Sequence, residues 1–267
     1  MVNKALMNAA QQINAEREEQ KKTAVEEMAQ RAVTSRFPNR TFLRHNEPLF
    51  YSTLVEQVFE LPIHEVWNGK GFDYILCDKT YAGADPSFAD SCEVCQELDD
   101  YGSPRRAKIM AFQIIYSHSA EGRTGVSKTT GKEYKFHTTL LLPINPGKGG
   151  SNLEALNVFR GKGQLKPGKF VFEIKKTGAG KETVYHPPII AHPDVYSEEF
   201  DANSAEAKAA REKFANMSED EQYQCVLVHL KNVKWDLWGI DEPKADVVDS
   251  EKESTKPAGK KSKDALT

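Results

Sequence analysis

The chain has 267 residues, 39% hydrophobic and 28% charged, which is enough apolar material for a core and lies outside the composition of disordered chains. Its net charge is -3, no apolar run reaches the roughly 18–20 residues that a membrane span needs, and no apolar block near the N-terminus leads to a small-residue cleavage site. The expectation is a cytoplasmic protein with no membrane partner, in a compartment where closely spaced cysteines bind metal or do catalysis more often than they form disulfides.

Residues 3–35 lack Gly and Pro and are rich in Ala, Glu, Gln, Lys and Met, a pattern that predicts a helix ended by Pro38. Its apolar stripe (Leu6, Ile13, Val25, Met28) is thin and its middle, AEREEQKK, is polar, so the segment reads as a projecting arm over 1–38. From Thr41 the pattern changes to short β-branched and aromatic runs separated by turns. The stretch from Phe42 to Leu61 predicts a strand pair, and FDYILC predicts a strand over 72–77. AKIMAFQIIYSHS predicts a long alternating strand over 107–119, EGRTGVSKTTGKE a Gly-rich hairpin loop, and YKFHTTLLLPI the returning strand. NLEALNVFRG reads as a short helix, KFVFEIKK as a strand, TGAGKE as a turn and TVYHPPII as a last extended piece. An Ala-rich helix follows from about Ser204 to Ala215, then a capping box at Ser218–Glu221 opening a second helix. CVLVHLKNVKWDLW reads as strand-like, and 240–267 as a disordered tail. Together these elements predict a mainly β fold with flanking helices, an α+β chain built on an OB-type β-barrel over 39–239.

Two of the four cysteines, Cys92 and Cys95, stand two residues apart. Upstream lie Cys77 and His64, giving the series His64-x12-Cys77-x14-Cys92-x2-Cys95. A Cys-x2-Cys turn plus a strand-borne Cys and a His make a tetrahedral Cys3His set, suited to one structural zinc with no open position for water. The zinc would staple an insertion at about 61–100, whose turn-rich DKTYAGADPSFADS has no hydrophobic face. His45 and His118 are alternatives to His64 as the nitrogen ligand. Cys225, in an apolar stretch, reads as a core thiol. A zinc deaminase needs Glu two residues after the His and Pro before the paired Cys, and Val66 and Ser91 stand there. HExxH, Walker and nucleophile-elbow motifs are also missing, so the chain is expected not to be an enzyme.

The charge is unevenly spread. Between Arg105 and Lys181 lie 15 Lys and Arg against four acids, an excess of +11 that leaves -14 elsewhere. Such a block points to an anionic partner. Three stretches in order then resemble the zinc-containing single-stranded DNA-binding (helix-destabilising) proteins of tailed phages. These are the His64/Cys77/Cys92/Cys95 series, the basic lead SPRRAKIMAFQIIY into a strand, and KFVFEIKKTGAGKETVYHPP, a strand followed by a Gly-x-Gly turn and a Thr-x-Tyr. The resemblance covers roughly residues 41–190. It implies an OB-type fold with a zinc-bearing insertion, a basic groove for the strand, an N-terminal arm for self-association and a C-terminal tail for replication or transcription proteins. It also implies roles in phage DNA replication, recombination and repair inside an infected bacterial host.

Single strands are held by a positive groove with aromatic platforms for the bases. The basic candidates are Arg105, Arg106, Lys108, Arg123, Lys128, Lys132, Lys135, Arg160, Lys162, Lys175, Lys176 and Lys181. Among the interleaved aromatics, Phe170 and Phe172 read as core, and the tyrosines Tyr116, Tyr134 and Tyr185 as stacking platforms. The second function class is a zinc-stapled transcription or replication adaptor that binds a polymerase, its DNA contacts being secondary.

Overall fold

The computed structural model describes residues 36–67, 72–77, 92, 107–127, 131–178, 182–192 and 203–244. All but Lys244 belong to one compact unit, Thr34–Pro243. The expected helix 3–35 and the tail beyond 244 lie outside the described residues.

In chain order the strands are β1 (Asn39–Arg40), β2 (Leu49–Thr53), β3 (Phe59–Trp67), β4 (Phe72–Leu76), β5 (Lys108–Ser117), β6 (Thr124–Val126), β7 (Glu133–Lys135), β8 (Thr139–Ile144), β9 (Phe172–Ile174), β10 (Lys176–Thr177), β11 (Val184–Tyr185) and β12 (Ile189–Ile190). Helix α1 (Ser151–Gly161) lies between β8 and β9, and α2 (Ala205–Ala215), α3 (Glu219–Leu227) and α4 (Trp235–Trp238) follow the strands.

The organising strand is β5. Along one edge it pairs antiparallel with β8, from Ala111↔Ile144 to Tyr116↔Thr139. Its other edge is shared: β3 takes the first half (Phe59↔Phe112 to Ile63↔Lys108) and β2 the second (Tyr51↔Ser117 to Thr53↔Ile115). Between Thr53 and Phe59 one side advances six residues while β5 advances three, and the segment 54–58 takes up the excess. The sheet therefore forks. β2 continues to β9 and β12, whereas β3 continues to β4, and on the far side β8 pairs in parallel with β1.

Alternation along β5 feeds two cores. Met110, Phe112, Ile114 and Tyr116 pack with Phe59, Leu61, Ile63 and Leu76 under α2 and α3, which contribute Phe214, Cys225 and Leu227. Ala111 and Ile115 face Tyr51, Leu142, Ile144, Phe172 and Ile174, with Leu156 of α1 and Leu165 closing that side. The long strand expected over 107–119 is present, and it is buried on both faces from Met110 to Ser117. Gln113 joins the second face by accepting a hydrogen bond from the Tyr51 hydroxyl at 3.1 Å.

The path β4–β3–β5–β8–β1 curls until its ends meet through a side chain. Arg40 Nη2, on β1, donates to the Phe72 carbonyl of β4 at 3.2 Å. Among the described residues no backbone ladder joins β1 to β4, so the sheet-rich core is not a ladder-closed barrel.

The capping box forms as the sequence requires: Ser218 Oγ accepts from Glu221 N–H and the Glu221 carboxylate accepts from Ser218 N–H. Replacing this cap by Ala costs about 1 kcal/mol. The helix it starts runs through Cys225, Val226 and Leu227, so the expected strand over CVLVHLKNVKWDLW is a helix end, a turn and the short α4. Cys225, Val226 and Leu227 are buried in the core that β5 shares with the helices, and tertiary burial outweighs the strand propensity of the stretch. Only Lys231 behaves as strand: its N–H donates to Tyr74 O and its carbonyl accepts from Leu76 N–H. Ile240, placed in the tail by composition, is buried in the first core, and Gln224 Nε2 donates to Asp241 O at 2.9 Å. The ordered unit thus runs past the expected boundary at 239. No helix among the described residues is long and apolar enough to cross a membrane.

Candidate functional site

The β3–β4 hairpin builds the first candidate site. His64 lies opposite Ile75 in its ladder, and Cys77 follows the last β4 residue, with its N–H donating to Pro62 O at 2.9 Å. These two positions put an imidazole and a thiol at one end of the hairpin, and Cys92 returns from the insertion to meet them. Cys92 Sγ is 3.8 Å from Cys77 Sγ and 3.6 Å from His64 Nε2, and all three residues are buried. With metal–sulfur bonds near 2.3 Å and metal–nitrogen bonds near 2.05 Å, the edges of a tetrahedron are about 3.8 Å (S···S) and about 3.6 Å (S···N). Two edges therefore already match a tetrahedral thiolate–imidazole site, the donor atoms of all three residues lie within 4.8 Å of one another, and His64, Cys77 and Cys92 could hold a metal ion. The fourth expected ligand, Cys95, lies outside the described residues. Of the alternatives to His64, His118 hydrogen-bonds Ser52 Oγ at 2.8 Å and His45 bridges to Lys176. Cys225 is buried in the helical core, and burial pushes its thiol up to about 12, an inert group as expected.

The second candidate site is a cleft between residues 39–49 and the segment from Ser117 to Leu140. One wall is the extended run Arg40-Thr41-Phe42-Leu43-Arg44. Leu43 turns into the core, while Phe42 stays 54% exposed. The Arg40 guanidinium sits 4.9 Å from the centroid of the Phe42 ring. On the other wall Phe136 carries Arg123 at 5.7 Å and Arg44 at 5.9 Å from its ring centroid. Phe136 N–H donates to Arg123 O, which ties the two together. Next to Phe136, at 5.4 Å between centroids, is Tyr134, 48% exposed on β7. Three guanidiniums and the rings of Phe42 and Phe136 line this concave strip, with Tyr134 beside it, an arrangement that can hold phosphates and stack bases. Glu47, paired with Arg44 at 3.5 Å, is the acid in that strip.

The expected contact residues are scattered around this geometry. Arg123 and Tyr134 stand in or beside the cleft, and Lys132 and Lys135 are exposed on the same β6–β7 hairpin. Tyr116 is a correction: it is 1% exposed inside the first core, so no base can reach its ring. Tyr185 is half-buried against the second core, with burial, and Glu65 nearby, raising its phenol pKa. Lys108 is engaged by Glu65 at 2.6 Å, Arg160 by Glu60 at 3.7 Å and Lys175 by Glu173 at 3.7 Å. Lys162 is exposed just beyond α1, and Lys176 lies beside His45. Arg105, Arg106, Lys128 and Lys181 lie outside the described residues. Phe136 is interleaved with the lysines of the +11 block, but the sequence reading favours the tyrosines over it, while Arg40, Phe42 and Arg44 are not among the sequence candidates. The signal was present as RTFLR, a strand-period alternation of Arg and Phe on one face, but it lies upstream of the +11 block.

Comparisons with known proteins add no identity: no family model, no curated protein and no solved structure matches the chain.

Proposed function

We propose that this chain is a sequence-tolerant single-stranded DNA-binding protein with a structural zinc, acting by coating and protecting strands and not by catalysis. The observation that carries the reading is the cleft in which Arg40, Arg44 and Arg123 surround Phe42 and Phe136 beside exposed Tyr134. Guanidiniums neutralise phosphates whatever the sequence, and every base has a face to stack, so this chemistry selects unpaired strands without reading them. The curl of β4–β3–β5–β8–β1, bridged by Arg40, supports an OB-type reading of the core. Zinc suits the donors because thiolates and imidazole at tetrahedral spacing are its usual ligands, and Cys95 is the proposed fourth. The metal, when bound, supplies a cross-link between the hairpin and the insertion. The arm 1–38 is proposed to associate copies along the strand, and the tail to recruit replication or transcription proteins.

The test is fluorescence anisotropy with labelled single- and double-stranded oligonucleotides over a range of salt. Single-strand binding is expected to dominate, and log affinity to fall with log salt by about 0.7 for each phosphate neutralised. Phe136→Ala is expected to weaken binding by roughly 1–3 kcal/mol, the worth of one stacked base. A preference for duplex, or a flat salt dependence, would overturn the reading.

A further inference from the structure

Arg40 stands between the two candidate sites. Its backbone is fixed by parallel pairing opposite Leu141 of β8. Its side chain reaches the hairpin that carries the metal donors: besides the bond to Phe72 O, the guanidinium lies 4.5 Å from the centroid of the Tyr74 ring. The same planar cation lies against Phe42 in the cleft. Tyr74 and Phe72 belong to the strand that runs directly into Cys77, and the ladder partner of that strand carries His64. A displacement of β4 therefore moves Arg40, and with it the ring of Phe42.

We propose that Arg40 couples the metal centre to the cleft. Metal held by His64, Cys77 and Cys92 fixes β4, and Arg40 transmits that position to Phe42, setting the ring for an unpaired nucleobase. This rests on the single-strand reading and adds a regulation to it. Coupling between two sites is reciprocal, so an oligonucleotide in the cleft must tighten metal retention by the factor by which metal tightens oligonucleotide binding. Arg40 acts here as a positioning residue. Lysine at this place keeps the charge but not the flat, two-faced contact with Phe42 and Tyr74.

The experiment titrates a metallochromic chelator into the zinc-loaded full-length chain, with and without saturating single-stranded oligo(dT). In the parent chain the oligonucleotide is expected to raise the chelator concentration that strips half the zinc by about fivefold or more. Arg40→Lys, and Phe42→Leu, which cuts the link at its exposed end, are expected to bind oligo(dT) more weakly, so each is compared at an oligo(dT) concentration that saturates it; the shift is then expected to stay within about twofold. Equal protection of zinc in the parent and in both variants would overturn the proposal. So would a parent chain that binds oligo(dT) tightly with no effect on zinc retention, an outcome that leaves the single-strand reading standing. Failure of the zinc-loaded parent to bind oligo(dT) at all would remove that reading and the coupling with it.

Discussion

The ring of Tyr134 lies over Gly125, its cross-strand partner in the β6–β7 hairpin; a Cβ built on Gly125 would stand 2.8 Å from both Cζ and Oη of Tyr134. Gly125→Ala therefore displaces the ring from its place beside Phe136, and the exposed side chain can yield without disturbing the core. The expected outcome is a loss of oligonucleotide affinity of about tenfold, at the low end of one stacked base, with an unchanged melting temperature. Unchanged affinity would show that the hairpin carries no stacking.

Cys77→Ser removes a donor that no described neighbour replaces. Elemental analysis is expected to find about one zinc per parent chain and none in this variant. Cys225→Ser should keep the metal, because Cys225 sits in the helical core, and should cost about 1–3 kcal/mol in stability for placing a hydroxyl among apolar neighbours. Metal loss in the Cys225 variant alone would exchange the two assignments.

Glu47 offers Arg44 a carboxylate where a phosphate is proposed to bind, and both side chains are more than half exposed. Such a pair contributes little to stability. Glu47→Gln is expected to strengthen single-strand binding about twofold at low salt, with the gain shrinking as the Debye length falls. A weaker binder would place Glu47 among the groups that position the strand.

His229 Nε2 lies 2.8 Å from the Pro38 carbonyl, so that nitrogen carries the hydrogen and donates. Burial lowers the ring pKa from its ordinary value of 6.5; the bond to Pro38 opposes the shift and the Arg40 charge adds to it. The unfolded chain then binds more protons than the folded one between the lowered pKa and 6.5. The stability due to this group is complete above that value and is lost as pH falls through the lowered pKa. Melting temperatures taken between about pH 7 and about pH 5 should decline more steeply in the parent than in His229→Gln, which keeps a donor without the titration. Parallel declines would assign the acid sensitivity to other groups.

The clustering of His64, Cys77 and Cys92, which could hold a metal ion, was legible in the sequence because ligand chemistry depends on residue type and coarse spacing, and the fold only had to bring them together. The strands and the Ser218 cap were legible for a similar reason, since each is a local pattern. The cleft was not, because its walls come from segments about 80 residues apart in sequence, Arg40–Arg44 and Arg123–His137, and the charge count weighted only the second. Tyr116 failed as a platform because alternation assigns side chains to two faces of β5 without saying that both are covered. The helix end at Cys225–Leu227 failed because burial, not propensity, decides the conformation there.

The fully buried stretch of β5 also bears on how this chain tolerates change in length. Its even-numbered residues Phe112, Ile114 and Tyr116 serve one core, and Ala111 and Ile115 serve the other. Deleting or inserting one residue within it would exchange the two sets, sending large rings to the side fitted for Ala111 and leaving the helical side underfilled. β2, β3 and β8 take their register from this strand. Length variation among related chains should therefore collect in the connections between strands, such as that between β6 and β7, and be absent between Met110 and Ser117.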